Sequence, residues 1–201
     1  MPNWCENRLS ITTDNPKLIS LFHEIEKAYR LGQELFLFET LVPLTDDVSV
    51  ENNNYIDFCY SQWGTKWDVN VGSGEVACSL TSKNSDEWTI YISLDTAWSP
   101  PCNFVDGLAK KYACKKEDQH VGEVDQNYLF NAELFYIEFG MDFCGVFIHD
   151  GQHISYQDYS VSESIRDPNI DFLEIIESLG YELDVVKSYY VSEDEDADNE
   201  F

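Results

Sequence analysis

The chain has 201 residues, with 38 aspartates and glutamates against 12 lysines and arginines, a formal net charge of −26. A surface this negative is repelled by phosphate backbones and by anionic lipid headgroups, which argues against direct binding to nucleic acid or to a membrane. Hydrophobic residues make up 43% of the chain and aromatic residues 14%, enough for one sizeable core or a core with a large insertion.

Trp4 to Thr13 alternates Leu9 and Ile11 with polar neighbours and predicts a first strand. Asn15-Pro16 then opens a helix whose apolar stripe is Leu18, Leu21, Phe22, Ile25, Ala28 and Tyr29, ending at Gly32. Thr45 to Ser61 is polar and Asn-rich, a surface excursion or short helix. Lys66 to Gly72, Glu75 to Ser82 and Trp88 to Thr96 read as strands, with Gly72-Ser73-Gly74 as a turn. Ser99-Pro100-Pro101 predicts a second helix start, Ser99 capping, with Phe104, Val105, Leu108, Ala109 and Tyr112 on its buried face. Its end gathers Lys110, Lys111, Lys115 and Lys116, where cations complement the helix dipole. After a polar segment from Glu117 to Gln126 come strands at Leu129 to Phe139, Phe143 to His149 and Gln152 to Tyr159. A Gly140-Met141-Asp142 turn joins the first two of these, and Phe135, Ile137 and Phe139 share one face. A third helix is expected at Pro168 to Leu179, closed by Gly180, followed by an apolar segment and a disordered acidic tail over 193–201.

The start of the chain, Met1-Pro2-Asn3-Trp4-Cys5-Glu6-Asn7-Arg8, has neither the basic flank nor the apolar run of a signal peptide, so a cytoplasmic protein with reduced cysteines is expected. The cysteines, at 5, 59, 78, 102, 114 and 144, form no C-x-x-C pair, and most sit among apolar neighbours as buried thiols do. His149 and His153 have a ligand-like spacing, but reading Asp150-Gly151 as a two-residue hairpin turn pairs His149 with Gln152 and puts His153 on the opposite face. No metal and no cofactor is expected.

The acidity is not confined to the tail, because residues 1–192 still carry −20. Duplex DNA carries one charge per about 1.7 Å, so an equal charge spans about 44 Å of helix. A compact chain of this length has a diameter of about 43 Å. The densities are comparable, which permits a DNA-mimic reading.

Three short segments, Met1-Pro2-Asn3-Trp4-Cys5-Glu6-Asn7, Trp63-Gly64-Thr65-Lys66-Trp67-Asp68-Val69 and Thr96-Ala97-Trp98-Ser99-Pro100-Pro101, resemble the YubB ferredoxin-like family of phage and plasmid proteins. Glu138-Phe139-Gly140-Met141-Asp142-Phe143-Cys144-Gly145 is similar to that family's glutamate, glycine, phenylalanine, glycine signature. The resemblance covers residues 1 to about 160 and implies a ferredoxin-like β-α-β-β-α-β core. It implies no reaction and no catalytic residues.

The fold class expected is therefore α+β. It has a ferredoxin-like core in a mostly antiparallel sheet, insertions near 45–61 and 117–128, and extra C-terminal strands and a helix, all within one domain over 1–192. The expected function is non-enzymatic: an acidic interaction protein, a DNA mimic directed at the basic surface of a host DNA- or RNA-binding defence protein such as a nuclease, restriction complex or CRISPR effector. Asp46, Asp47, Glu51, Glu117, Asp118, Glu123 and Asp125, in predicted loops, are its candidate contacts. The alternative is a small-ligand or nucleotide site formed by Trp63, Lys66, Trp67, Asp68 and Trp98, where indoles and an amine could grip a planar anion.

Overall fold

In the computed structural model, which describes residues 3–44, 55–74, 76–113 and 127–191, the first strand β1 spans Trp4–Thr13. Every second side chain from Cys5 to Thr13 is buried, as the period of a half-covered strand requires. Helix α1, Pro16–Leu31, starts where its sequence predicts. The Asn15 side chain accepts the N–H groups of Lys17 (2.9 Å) and Leu18 (3.1 Å), two donors that otherwise have no partner in the first turn. The same side chain donates to the carbonyl of Tyr112 (2.7 Å), which ties this helix start to the end of a later helix.

The other elements are α2 (Leu37–Leu41), α3 (Tyr55–Trp63), β2 (Val76–Ser82), β3 (Trp88–Ala97), α4 (Cys102–Tyr112), β4 (Phe130–Glu138), β5 (Phe143–His149), β6 (Ile154–Tyr159), α5 (Val161–Ser164), α6 (Ile170–Ser178) and α7 (Leu183–Val191). The strands form one open sheet in the order β2-β3-β1-β4-β5-β6, every neighbouring pair antiparallel. The fold is thus mixed α+β on a six-stranded antiparallel sheet. Two apolar cores use opposite sides of it. On one side, α1 to α4 pack over the strands through Phe22, Phe38, Trp63 and Phe104. On the other, α5 to α7 cover β4 and β5 through Val161, Phe172, Ile175, Ile176 and Val186. Leu134 and Tyr136 of β4 enter the first core while Phe135 and Ile137 face the second, the two-residue period that puts neighbours on opposite faces.

Asp142, in the turn between β4 and β5, fastens the second helical layer. Its carboxylate accepts the Ser160 hydroxyl (2.8 Å), the Ser162 N–H and hydroxyl (both 2.7 Å) and the Tyr190 hydroxyl (3.0 Å). Burial pushes this carboxyl up, but the hydrogen bonds from Ser162, Ser160 and Tyr190 outweigh it and hold the group below the usual carboxylate range. Glu138, buried at the end of β4, accepts the N–H groups of Gly140 and Met141 in the same turn.

Several expectations are corrected. Lys66 to Gly72 is not a strand: Asn70 forms only an isolated bridge with Phe36, and Val71–Ser73 is a short 3-10 turn. Ser99 does not cap α4, which starts at Cys102 after Pro101. Its hydroxyl instead donates to the Gly64 carbonyl (2.6 Å). The β5–β6 connection is a four-residue loop, so His149 pairs with Ile154 rather than Gln152. His149 is buried, accepts the Gly151 N–H and lies 3.4 Å from Asp106. His153 is exposed and sits against Asp150. The apolar segment before the tail is a helix, α7. Of the expected excursion or short helix over Thr45 to Ser61, residues 55–61 belong to helix α3, with Cys59 buried, while residues 45–54, the polar segment 117–126, Cys114, Lys115, Lys116 and the tail over 193–201 lie outside the described residues.

Two outcomes follow from this packing. Gly145 pairs with Tyr136, whose ring lies over it; a Cβ there would stand 2.4 Å from the Gln157 carbonyl oxygen and 2.5 Å from the Tyr136 hydroxyl. Gly145→Ala therefore destabilises the fold by about 2 kcal/mol, measured as a lower urea midpoint. Because the Asp142 carboxyl is held low in the folded state, the stability it contributes is fully present above about pH 4 and is lost as pH falls through the folded value. The urea midpoint of Asp142→Ala should fall well below that of the parent at about pH 7, and the gap should narrow as pH falls below about 4.

Candidate functional site

The four segments that carry the family resemblance meet at one end of the sheet. Trp4 pairs with Ala97 and Glu6 with Ile137, so β1 carries the N-terminal segment between the ends of β3 and β4. The Trp98 N–H donates to the Asn3 carbonyl (3.0 Å), and the Thr65 hydroxyl donates to the Ala97 carbonyl (3.1 Å). Gly64, at φ 83°, lies so close to the start of α4 that a Cβ would stand 3.1 Å from the Pro100 oxygen. Beneath these contacts, the buried Asn7 amide donates to the carbonyls of Cys5 (2.6 Å) and Leu94 (3.2 Å) and to the Thr96 hydroxyl (2.9 Å). That hydroxyl donates in turn to the Ser99 carbonyl (2.7 Å). A buried amide with this many partners fixes the strand ends against each other.

Above the network sits an aromatic cluster. Trp4, 46% exposed, meets Trp67 edge-on with ring centroids 6.3 Å apart. The Lys66 amine lies 5.1 Å from the Trp67 ring centroid and 5.8 Å from that of Trp98, cation–π distances to both. Trp98 itself has φ 75°, a left-handed conformation that is costly for a bulky residue. It is held there by its N–H bond to Asn3 and by the Ser99 and Thr96 contacts.

The five residues expected to form a ligand site are only partly brought together. Lys66, Trp67 and Trp98 form the cluster just described. Trp63 is in the core, 1% exposed, tilted against Phe38, with its indole N–H donating to the Val42 carbonyl (2.9 Å). Asp68 serves the fold instead, because its carboxylate accepts the N–H groups of Phe38 (2.8 Å), Glu39 (2.8 Å) and Val69 (2.7 Å) and so caps α2 from a distant loop. Burial raises its pKa despite these bonds. Trp63, Trp67 and Asp68 do line one cleft of about 400 Å³ with Phe36, Tyr55 and Glu39. Its charged lining is anionic, Glu39 and Asp68, and Lys66 is not part of it, which is poor chemistry for a phosphate. Trp4 completes the cluster and was not among the expected residues. The Met1-to-Asn7 resemblance pointed at it, but only the pairing of β1 with β3 puts it beside Trp67.

All seven acidic residues expected to contact a partner, Asp46, Asp47, Glu51, Glu117, Asp118, Glu123 and Asp125, lie outside the described residues. The described residues nevertheless show how the charge is distributed. Residues 127–191 hold 12 carboxylates and two cations, Arg166 and Lys187, whereas the described residues within 3–113 hold 12 carboxylates and eight cations. Among the described residues, the excess of negative charge is therefore concentrated in the part built from β4 to β6 and α5 to α7. Between described residues, the ion pairs of lysine and arginine are Arg30–Glu26, Lys83–Glu87 and Lys110–Asp106, all outside that half and each joining residues four apart.

Burial raises the thiol pKa of Cys5, Cys59, Cys78, Cys102 and Cys144, to about 12 for Cys78, Cys102 and Cys144, so these groups stay protonated and unreactive. Among the described residues no cluster of histidine, cysteine and carboxylate has the makings of a metal site, and no helix is long and apolar enough to cross a membrane. Compared with models of protein families, with curated proteins and with solved structures, the chain matches none of them.

Proposed function

We propose that this is a non-enzymatic interaction protein whose acidic half engages the basic, nucleic-acid-binding surface of another protein. The single observation that carries this reading is the asymmetry of charge: carboxylates outnumber cations six to one over residues 127–191 and by three to two over the described residues within 3–113. A one-sided negative field steers a basic surface toward it, where an even scatter would favour solubility alone. The order β2-β3-β1-β4 with α1 and α4 as crossovers supports a ferredoxin-like β-α-β-β-α-β core, with β5, β6 and α5 to α7 added at one side. The meeting of the four resembling segments at one sheet end supports the YubB-type scaffold, and with it a phage or plasmid setting in which a decoy for a defence nuclease would be useful.

The test is capture of partners from a bacterial lysate by the tagged full chain. A specific partner is retained at low salt, lost as the ionic strength approaches about 1 M, and displaced by duplex DNA. Replacing Glu174, Glu177 and Asp184 by their amides weakens its affinity at least tenfold, while the same change at Glu24, Glu34 and Asp57 weakens it at most about threefold. Capture that ignores salt, or equal loss from both sets, overturns the reading.

A second reading is favoured by the Trp4, Lys66, Trp67 and Trp98 cluster: a small planar anion held between indoles. Titration of tryptophan emission with nucleoside monophosphates separates the two. The acidic-partner reading expects a flat curve, and saturable quenching that Lys66→Ala weakens at least fivefold replaces it with the ligand site.

A further inference from the structure

The sheet ends at β6, and this edge is built differently from the other one. At the opposite edge, β2 buries Val76 and Cys78 beneath the helical layer. On β6 every residue from Ile154 to Asp158 is exposed, with Ile154 at 49% and Tyr156 at 68%, and no other described strand pairs with its outer side. Natural sheet edges are normally blunted with lysine, proline or a bulge, because an open row of N–H and C=O groups accepts another strand. Ile154-Ser155-Tyr156-Gln157-Asp158-Tyr159 contains no lysine and no proline.

Beside this edge runs a cleft of about 340 Å³, between β6 and the start of α4, lined by Cys102, Tyr136, Phe143, Phe147, Tyr156 and Asp158. Its lining follows from the register. Tyr156 pairs with Phe147, and Asp158 pairs with Gly145, the residue over which Tyr136 lies. The apolar wall and the carboxylate are therefore two residues apart on one face of the strand, the spacing at which alternate side chains of a docked strand project. The Tyr136 hydroxyl donates to Oδ1 of Asp158, which fixes the carboxylate, and Oδ2 accepts no hydrogen bond from the described residues. Burial and then the bond to Asp158 push the phenol pKa well above its usual value, so it remains a donor. From Phe130 to Ser164, the stretch that forms β4 to β6 and α5, the chain contains six carboxylates and neither lysine nor arginine, so the edge strand and its neighbours carry negative charge alone.

We propose that β6 is a docking edge, on which an extended segment of a basic partner pairs as a seventh strand. Of its alternate side chains, an apolar one lies against Phe147 and Tyr156, and the lysine or arginine two positions away meets Asp158. This is strand addition in a groove between an edge strand and a helix, in which main-chain bonds supply affinity and alternate side chains supply selectivity. The choice of a basic segment rests on the acidic-partner reading above. A second copy of this chain is a poor occupant, because it would bring the same uncompensated negative charge to the contact. A six-residue strand contact falls among small, transient interfaces.

The test uses the full chain and a random dodecapeptide library displayed on phage. Enriched peptides are expected to alternate, with an apolar residue two positions from lysine or arginine. A synthetic peptide of that sequence slows amide hydrogen exchange in residues 154–159 at least tenfold. N-methylation of its alternate residues weakens binding at least tenfold in one frame and little in the other, the signature of main-chain pairing along one edge. Asp158→Asn weakens binding of the arginine-bearing peptide at least fivefold and that of a norleucine analogue little. Protection at Lys66 to Trp98 in place of β6, N-methyl effects equal in both frames, or no enrichment each overturns the strand-docking proposal. So does protection of β6 that rises with protein concentration and needs no peptide, which makes a second copy the occupant. The acidic-partner reading is judged separately, by the salt and amide-substitution results of the capture experiment.

Discussion

The structure depends on β1 being paired on both sides. Its ten residues register with all of β3, and eight of them register with β4, so this one strand joins the N-terminal half of the sheet to the C-terminal half. Without that pairing, the β2–β3 hairpin under α1 and the β4–β6 meander would be separate pieces, each too small to bury its own apolar face. The same pairing sets the candidate site. It brings Trp4 beside Trp67, and it lets Asn7 span the ends of β1 and β3 through Cys5, Leu94 and Thr96. A one-residue slip of β1 would turn Cys5, Leu9 and Ile11 out to solvent and Arg8 into the core, so the register admits no alternative.

A chain with this much negative charge folds because its described carboxylates stay at or near the surface or are given specific partners. Glu138, the one carboxylate among the described buried residues, accepts two N–H groups of its own turn. Asp68 caps a helix that has no cap in its own sequence, and Asp142 gathers two hydroxyls of a serine pair, an N–H and a tyrosine. In each case the negative charge is taken up by donors rather than by cations, which leaves the net charge of the molecule undiminished. The field that remains is lopsided. The half made by β4 to β6 and α5 to α7 has almost no lysine or arginine, and that half also bears the exposed edge and the cleft beside it.

The local elements were legible where their signals were local. The alternation of β1, the Asn15 cap with Pro16 and the apolar stripe of α1, and the bounds of β5 all follow from neighbouring residues. The reading of Lys66 to Gly72 as a strand failed for a physical reason: Asp68 and Asn70 spend their side chains on the backbone of residues 35 to 39 and on their own loop, and the contacts across about 30 residues compete with strand pairing. The Ser99 cap failed likewise, because that hydroxyl is claimed by Gly64. The two-residue β5–β6 turn was misjudged because Asp150 accepts the N–H groups of Gln152 and His153 and widens the loop to four residues.

The sequence by itself determined the acidity, the alternation of strands and helices, the buried character of most of the described cysteines and the aromatic content of the resembling segments. Those properties are set by composition and by spacings of two to four residues. Only the tertiary structure decided that Trp63 is core while Trp4, Lys66, Trp67 and Trp98 cluster outside it, that Asp68 is a cap, and that the poorly compensated charge shares a side with an open strand edge. Each of those outcomes depends on contacts between residues tens of positions apart, and such contacts are decided by which strand lies beside which.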